Sequence, residues 1–143
     1  MPKNVPDEMS VDMTQAKTFE PLPERKALLA SVSKWQYGKT ENGRKLDYAF
    51  TVVEPTELAN RQVPESLSLE NEYTLGRFQN ILIALGIPEK EVKVKNFKLP
   101  AEDDMLGLQA TIFCRTRHSD VYGDRSQINR FRPATAYKEA ASF

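Results

Sequence analysis

The sequence predicts a mainly β domain with one long helix. Three observations carry that expectation. Apolar and polar residues alternate with period two through residues 27–54 and again through 105–117. An Asn-Gly pair, Asn42-Gly43, interrupts the first of these stretches. Between the two, residues 73–85 change to helical spacing and stop at Leu85-Gly86.

Taken in order, residues 1–24 are polar, proline-punctuated and without a sustained period, as expected of an extended or disordered arm. They carry two basic residues against five acidic ones, a net of −3, so the remainder of the neutral chain is about +3. Phe19 and Leu22 are the residues able to pin the arm to the body. Over 27–37, Leu28, Ala30 and Val32 alternate with Leu29, Ser31 and Ser33, and Trp35 and Tyr37 fall on that second face. Asn42-Gly43 predicts a hairpin. The return strand, 45–54, places Leu46, Tyr48, Phe50 and Val52 on one face, with Asp47, Ala49 and Thr51 opposite. Pro55 ends it.

A third strand is expected over 61–69, where Pro64 demands an edge position, a bulge or a break. Leu75, Phe78, Ile81, Leu82 and Leu85 form one helical stripe, with Thr74 a candidate N-cap and Gly86 and Pro88 as stop signals. The charged linker 88–104 holds a candidate short strand at 92–97. Strand 105–117 turns Leu106, Leu108, Ala110, Ile112 and Cys114 one way, and Gly107, Gln109, Thr111, Phe113, Arg115 and Arg117 the other. The polar turn 118–124 leads to a last strand, 125–132, closed by Pro133. Residues 134–143 read as a loose tail. The expected organisation is an arm (1–24), one domain (25–133) and a tail (134–143). Three strands, a helix, then two strands match a five-stranded OB-like antiparallel barrel with its helix between strands three and four. Closing the barrel would also protect the edges of short strands.

Composition narrows the function. The chain has 143 residues, 40% of them hydrophobic, enough for one packed core. A formal net charge of zero argues against coating duplex DNA by charge alone, though not against a local basic groove. The single cysteine, Cys114, excludes an intramolecular disulfide. The first residues lack the apolar core of a signal peptide, and no apolar run is long enough to span a membrane, so a reducing cytoplasm is the expected default compartment.

Enzyme chemistry finds little to work with, and the expectation is a non-enzyme. His118, the only histidine, sits in a polar turn, and Cys114 falls on an apolar strand face. One cysteine and one histidine do not make a structural zinc site. No glycine-rich phosphate loop is present. Asp103 and Asp104 read as a solvated turn. No cofactor and no catalytic residue is expected.

Single-strand binding needs a positive track for phosphates and flat rings for bases. The last two strands offer Phe113, Arg115, Arg117, Arg125, Arg130 and Arg132, with Tyr122 in the turn between them. Arginine suits the task because its planar fork pairs with phosphate and stacks on rings. The first hairpin adds Trp35, Tyr37, Lys39 and Arg44. Trp35, Tyr37, Phe113 and Tyr122 are the expected stacking rings. Each has a plainer reading: the rings as packing, the arginines as partners of Asp120, Asp124 and the acidic arm.

The order of these segments also resembles a known group. The hairpin with Thr40 and Gly43, the helix ending in Leu85-Gly86-Ile87, the Leu106-Gly107 strand start and the last strand with Tyr122, Ile128, Phe131 and Pro133 occur in sequence over roughly residues 19–133. This resembles small phage-encoded proteins found near replication and recombination genes, whose members resemble OB-fold single-strand binding proteins. The resemblance implies a role in phage DNA replication, recombination or repair. It implies single-stranded DNA as ligand, with a phage recombinase or replication protein as a candidate partner; self-association is a further candidate, and the sequence does not set the oligomeric state. It brings no catalytic residue. Bacterial single-strand binding proteins end in an acidic run and a terminal phenylalanine. This chain ends in Phe143 without the acidic run. The rival expectation is a structural or protein-interaction module, a virion component or a host-factor binder, that docks through the arm and the Trp35 face.

Overall fold

The fold is that of a computed structural model, which describes residues 21–121 and 123–141. Five strands form one antiparallel sheet: β1 (Ala27–Thr40), β2 (Gly43–Glu54), β3 (Gln62–Ser68), β4 (Gln109–Arg117) and β5 (Arg125–Pro133). Their order across the sheet is β3-β2-β1-β4-β5. Four helices accompany them: α1 (Glu72–Ala84) and the short turns α2 (Glu89–Val92), α3 (Glu102–Met105) and α4 (Ala136–Ala141). A single 3-10 turn, Thr56–Leu58, links β2 to β3.

The β1–β2 hairpin turns through Glu41 and Asn42, closed by the Thr40–Gly43 pair, and the positive φ falls on Gly43, at 113°. A Cβ there would collide with the Glu70 side chain, so glycine is required twice over. Beyond the turn, strict alternation fails. Val32 pairs with Phe50 but Lys34 pairs with Ala49, leaving Ser33 as the extra residue of a β-bulge. The bulge shifts the inward set from even to odd positions. Leu28, Ala30 and Val32 point into the core, and so does Trp35, only 2% exposed. The expected outward position of Trp35 is corrected by this one inserted residue.

β3 lies at the sheet edge, which accommodates Pro64 opposite Ala49 without costing a ladder hydrogen bond. α1 starts at Asn71, whose side chain accepts from the Tyr73 N–H at 2.8 Å. Thr74 is not the cap; its hydroxyl donates to the Ser68 carbonyl at 2.6 Å. α1 ends in a Schellman turn: Ile87 N–H reaches Leu82 O, Gly86 N–H reaches Ile83 O, and Gly86 holds φ at 106°. Its buried face is Phe78, Ile81, Leu82 and Ala84.

Three expectations fail beyond α1. The candidate strand at 92–97 is absent; Pro88 opens the helical turn α2 and only Val92 of that turn is buried. The expected long strand from residue 105 begins at Gln109, because α3 ends at Met105 and Gly107, at φ 85°, turns the chain into β1. The expected loose tail carries α4, which packs on β1 and β5. At the other end, Leu22 is buried and its N–H donates to Ser126 Oγ at 2.7 Å. Phe19 and the rest of residues 1–20 lie outside the described residues.

The sheet is not closed by a backbone ladder, yet its two edges, β3 and β5, meet. Side chains join them. Glu65 Oε2 accepts from the Ile128 N–H at 2.8 Å, and Arg77 Nη2 donates to the Ile128 carbonyl at 2.8 Å. Arg77 and the Tyr48 hydroxyl both bind Glu65 Oε1 at 2.6 Å. One carboxylate and one guanidinium thus take the places of a missing strand's backbone groups. Burial, then the neighbouring Glu65 carboxylate, raises the Tyr48 phenol well above its ordinary value. Arg77 also lies over the Phe131 ring, 5.1 Å from its centroid.

Candidate nucleic-acid interface

β4 and β5 pair so that Arg117 sits opposite Arg125, Arg115 opposite Gln127, Phe113 opposite Arg130 and Thr111 opposite Arg132. Residues directly opposite share a face of the sheet. The expected arginine set is therefore gathered on the outward face, with only Thr111 buried among these residues. A bulge between Phe113 and Cys114 leaves Asn129 as an extra residue of β5.

The lower end of this face opens into a polar cleft of about 830 Å³. One wall is the outward side of β1, β2 and β3, through Lys34, Asp47, Gln62 and Ser66. The other is β5 and the turn before it, with Arg117 and Arg125 at the mouth. Pro21 and Leu22 form its end.

The charges there are unevenly matched. Each acid in the cleft is held within the protein: Asp47 by Lys45 at 3.0 Å, Glu65 by Arg77 at 2.6 Å, Asp124 by His118 at 2.7 Å. A hydrogen bond from Ser66, then Lys45 and Lys34, lowers the Asp47 carboxyl below its usual value. Arg117 and Arg125 have no carboxylate partner among the described residues. Like charges placed directly opposite in a ladder repel. The pair leaves a concentration of positive charge that an anion would relieve.

The other expected residues are placed differently. Arg115 reaches Gln127 Oε1 at 3.3 Å, and Arg130 covers the Phe113 ring at 5.6 Å. Lys39 and Arg44 face each other at the hairpin tip, outside the cleft, and Arg44 is tied to Glu70 at 2.9 Å. Tyr122 lies outside the described residues. Trp35 offers no ring face: it packs against Tyr48 and Phe78, and its indole N–H donates to the Tyr37 hydroxyl at 2.9 Å. That hydroxyl donates to the Pro100 carbonyl at 2.6 Å, so Tyr37 is a half-buried packing residue and burial raises its pKa. Of the four expected stacking rings, Trp35 is thereby removed from the surface and Tyr37 is committed to packing.

Compared with protein-family models and with curated proteins, the chain matches none.

Sequence reasoning passed over Gln62 and Ser66 as cleft residues, while Lys34 was legible as a basic neighbour of Trp35. Gln62 and Ser66 alternate about Pro64 in β3, and only the meeting of β3 with β5 makes a cleft of them. Cys114 is buried, and burial pushes its thiol up to about 12. His118 is exposed, paired with Asp124 across the β4–β5 turn. No helix among the described residues is long and apolar enough to cross a membrane.

Proposed function

We propose that this chain binds single-stranded DNA, and that its curled sheet is an OB-like barrel whose open seam is held by the Glu65–Arg77 clasp. The strand order supports the fold reading, because it brings β3 and β5 together as a partly open five-stranded barrel requires. In such barrels the face of strands two and three, with the loops between strands one and two and between strands four and five, binds oligonucleotides. Here the strand face and the second of those loops line the cleft. One observation carries the functional reading: the Arg117–Arg125 pair at the cleft mouth, unrelieved by any carboxylate among the described residues. A phosphate backbone supplies the missing charge. Arg130 and Arg132 continue the track along β5, about 23 Å from Arg125 to Arg132 at roughly 3.3 Å per residue, with Arg115 beside it on β4. That suits the lower end of single-strand site sizes, about four nucleotides. The phage replication or recombination role rests on the sequence resemblance alone.

The test is an Arg117→Ala, Arg125→Ala double variant, followed by oligonucleotide anisotropy over a salt series. Each lost phosphate contact lowers the salt slope by about 0.7 for a single strand. The variant should bind more weakly with a slope reduced by about 1.4; unchanged affinity sinks the site.

A second reading has its own observation. With Trp35 buried and Tyr37 half-buried against the core, Phe113 is the one expected ring left on the arginine face among the described residues, and Arg130 covers it. A protein-interaction module needs no stacking platform. Val121, 80% exposed in the β4–β5 turn, would suit such a contact.

A further inference from the structure

A second, smaller recess of about 310 Å³ lies between α1 and β5. Arg77 and Asn80 line it from the helix, and Asn129, Arg130, Phe131 and Arg132 from the strand. Its ingredients differ from those of the cleft. No acidic side chain lines it, and it holds two asparagine amides. Asn129 is the inserted residue of the β5 bulge, and a bulge re-aims the side chain it carries. Asn80 stands one turn after Arg77, on the same side of α1. Neither amide has a hydrogen-bond partner among the described residues. The recess floor is stiff: Arg77 is fixed to Glu65 and Ile128, and Phe131 is held between Arg77 and Phe50.

An amide presents a donor and an acceptor side by side. That matches a nucleobase edge carrying the complementary pair, as adenine does, whereas a phosphate offers acceptors only and uses one half of the amide. Arg130 and Arg132 follow Asn129 by one and three residues along β5, within reach of the phosphates that adjoin one nucleotide. We infer that this recess is a base subsite: it receives one unpaired base of the bound strand, held by Asn80 and Asn129, with Arg130 and Arg132 on the adjoining phosphates. The inference rests on the single-strand reading and adds to it a place where the strand's bases, and not only its charge, are read. It also supplies base contact where Trp35 is buried and the Tyr37 hydroxyl is engaged with Pro100.

The experiment follows the asparagine side-chain amide resonances of the 15N-labelled full chain during titration with short oligo-dA. A second titration uses an abasic oligonucleotide of the same length. The Asn80 and Asn129 side-chain signals should shift with oligo-dA and stay in place with the abasic strand, while the Arg130 and Arg132 backbone signals shift with both. An Asn80→Ala, Asn129→Ala variant should lose about tenfold in affinity for oligo-dA. Its affinity for the abasic strand should stay unchanged, and a native amide spectrum would show that it is folded. Should the double variant fail to fold, Asn80→Ala alone, on an exposed helix position, serves the same comparison. Strand binding without any shift of the two amides, or with the same shift from both strands, overturns the subsite and leaves the single-strand reading standing. Absence of binding by either strand overturns both.

Discussion

Arg117 and Arg125 face each other across the β4–β5 ladder with no acid between them, while every acid in the adjoining cleft is already engaged. A folded chain keeps such a pair at some cost, and an anionic ligand converts that cost into affinity. Trp35 illustrates the opposite situation. A ring with an apolar body and one polar handle can stack on a base or fill a core, and here its N–H is used by Tyr37 inside the protein. Its emission should therefore be blue-shifted, resistant to iodide and unchanged by oligonucleotide. Trp35→Ala should cost about 3–5 kcal/mol in chemical denaturation, as loss of a buried large ring does. Cys114 makes a third prediction at this scale. Its thiol stays protonated and enclosed, so maleimide at pH 8 should label it only as fast as the protein opens. Rapid labelling of the native chain would contradict the packing of β4 against the core.

Among the elements, those governed by local chemistry were legible in advance. The Asn-Gly hairpin, the edge strand around Pro64 and the helix stop at Gly86 each follow from what a backbone permits at one or two residues. The outward set Phe113, Arg115 and Arg117 was legible for the same reason, since β4 alternates without interruption. What escaped was set by long-range pairing. Ser33 as a bulge exists only against β2, and it alone carries Trp35 inside. The β3–β5 seam depends on Glu65 and Arg77 reaching a residue about sixty positions from one and about fifty from the other in sequence. That clasp is testable. Glu65→Ala leaves the Arg77 charge, the Tyr48 hydroxyl and the Ile128 N–H without their acceptor, and should cost about 3–5 kcal/mol. A Glu65→Leu, Arg77→Met pair should recover only the part due to the unpaired charge, because the Tyr48 hydroxyl and both Ile128 backbone groups stay without partners. The same seam sets an alkaline limit. Tyr48 has a folded-state pKa raised above its usual 10.0, so its contribution is fully present below about pH 10 and is lost as the pH rises further. Unfolding free energy should fall in that range, and Tyr48→Phe should flatten the fall.

At the scale of the whole molecule, zero net charge conceals a division. The acidic excess belongs to residues 1–24, and the body carries the compensating positive charge, part of it drawn into one line by the β4–β5 pairing. Function in this account depends on that distribution and not on the total, since local potential steers a strand to a groove while the sum does not. The rival account, in which the chain docks on a protein, makes the same arginines ordinary surface charges. It predicts no dependence on nucleic acid at all. The measurement that separates them most directly is anisotropy of a labelled oligo-dT with the full chain across a salt series. The account predicts binding that weakens steeply with salt, with Trp35 emission unchanged throughout. No binding at low salt would contradict it and leave the protein-interaction module as the surviving reading.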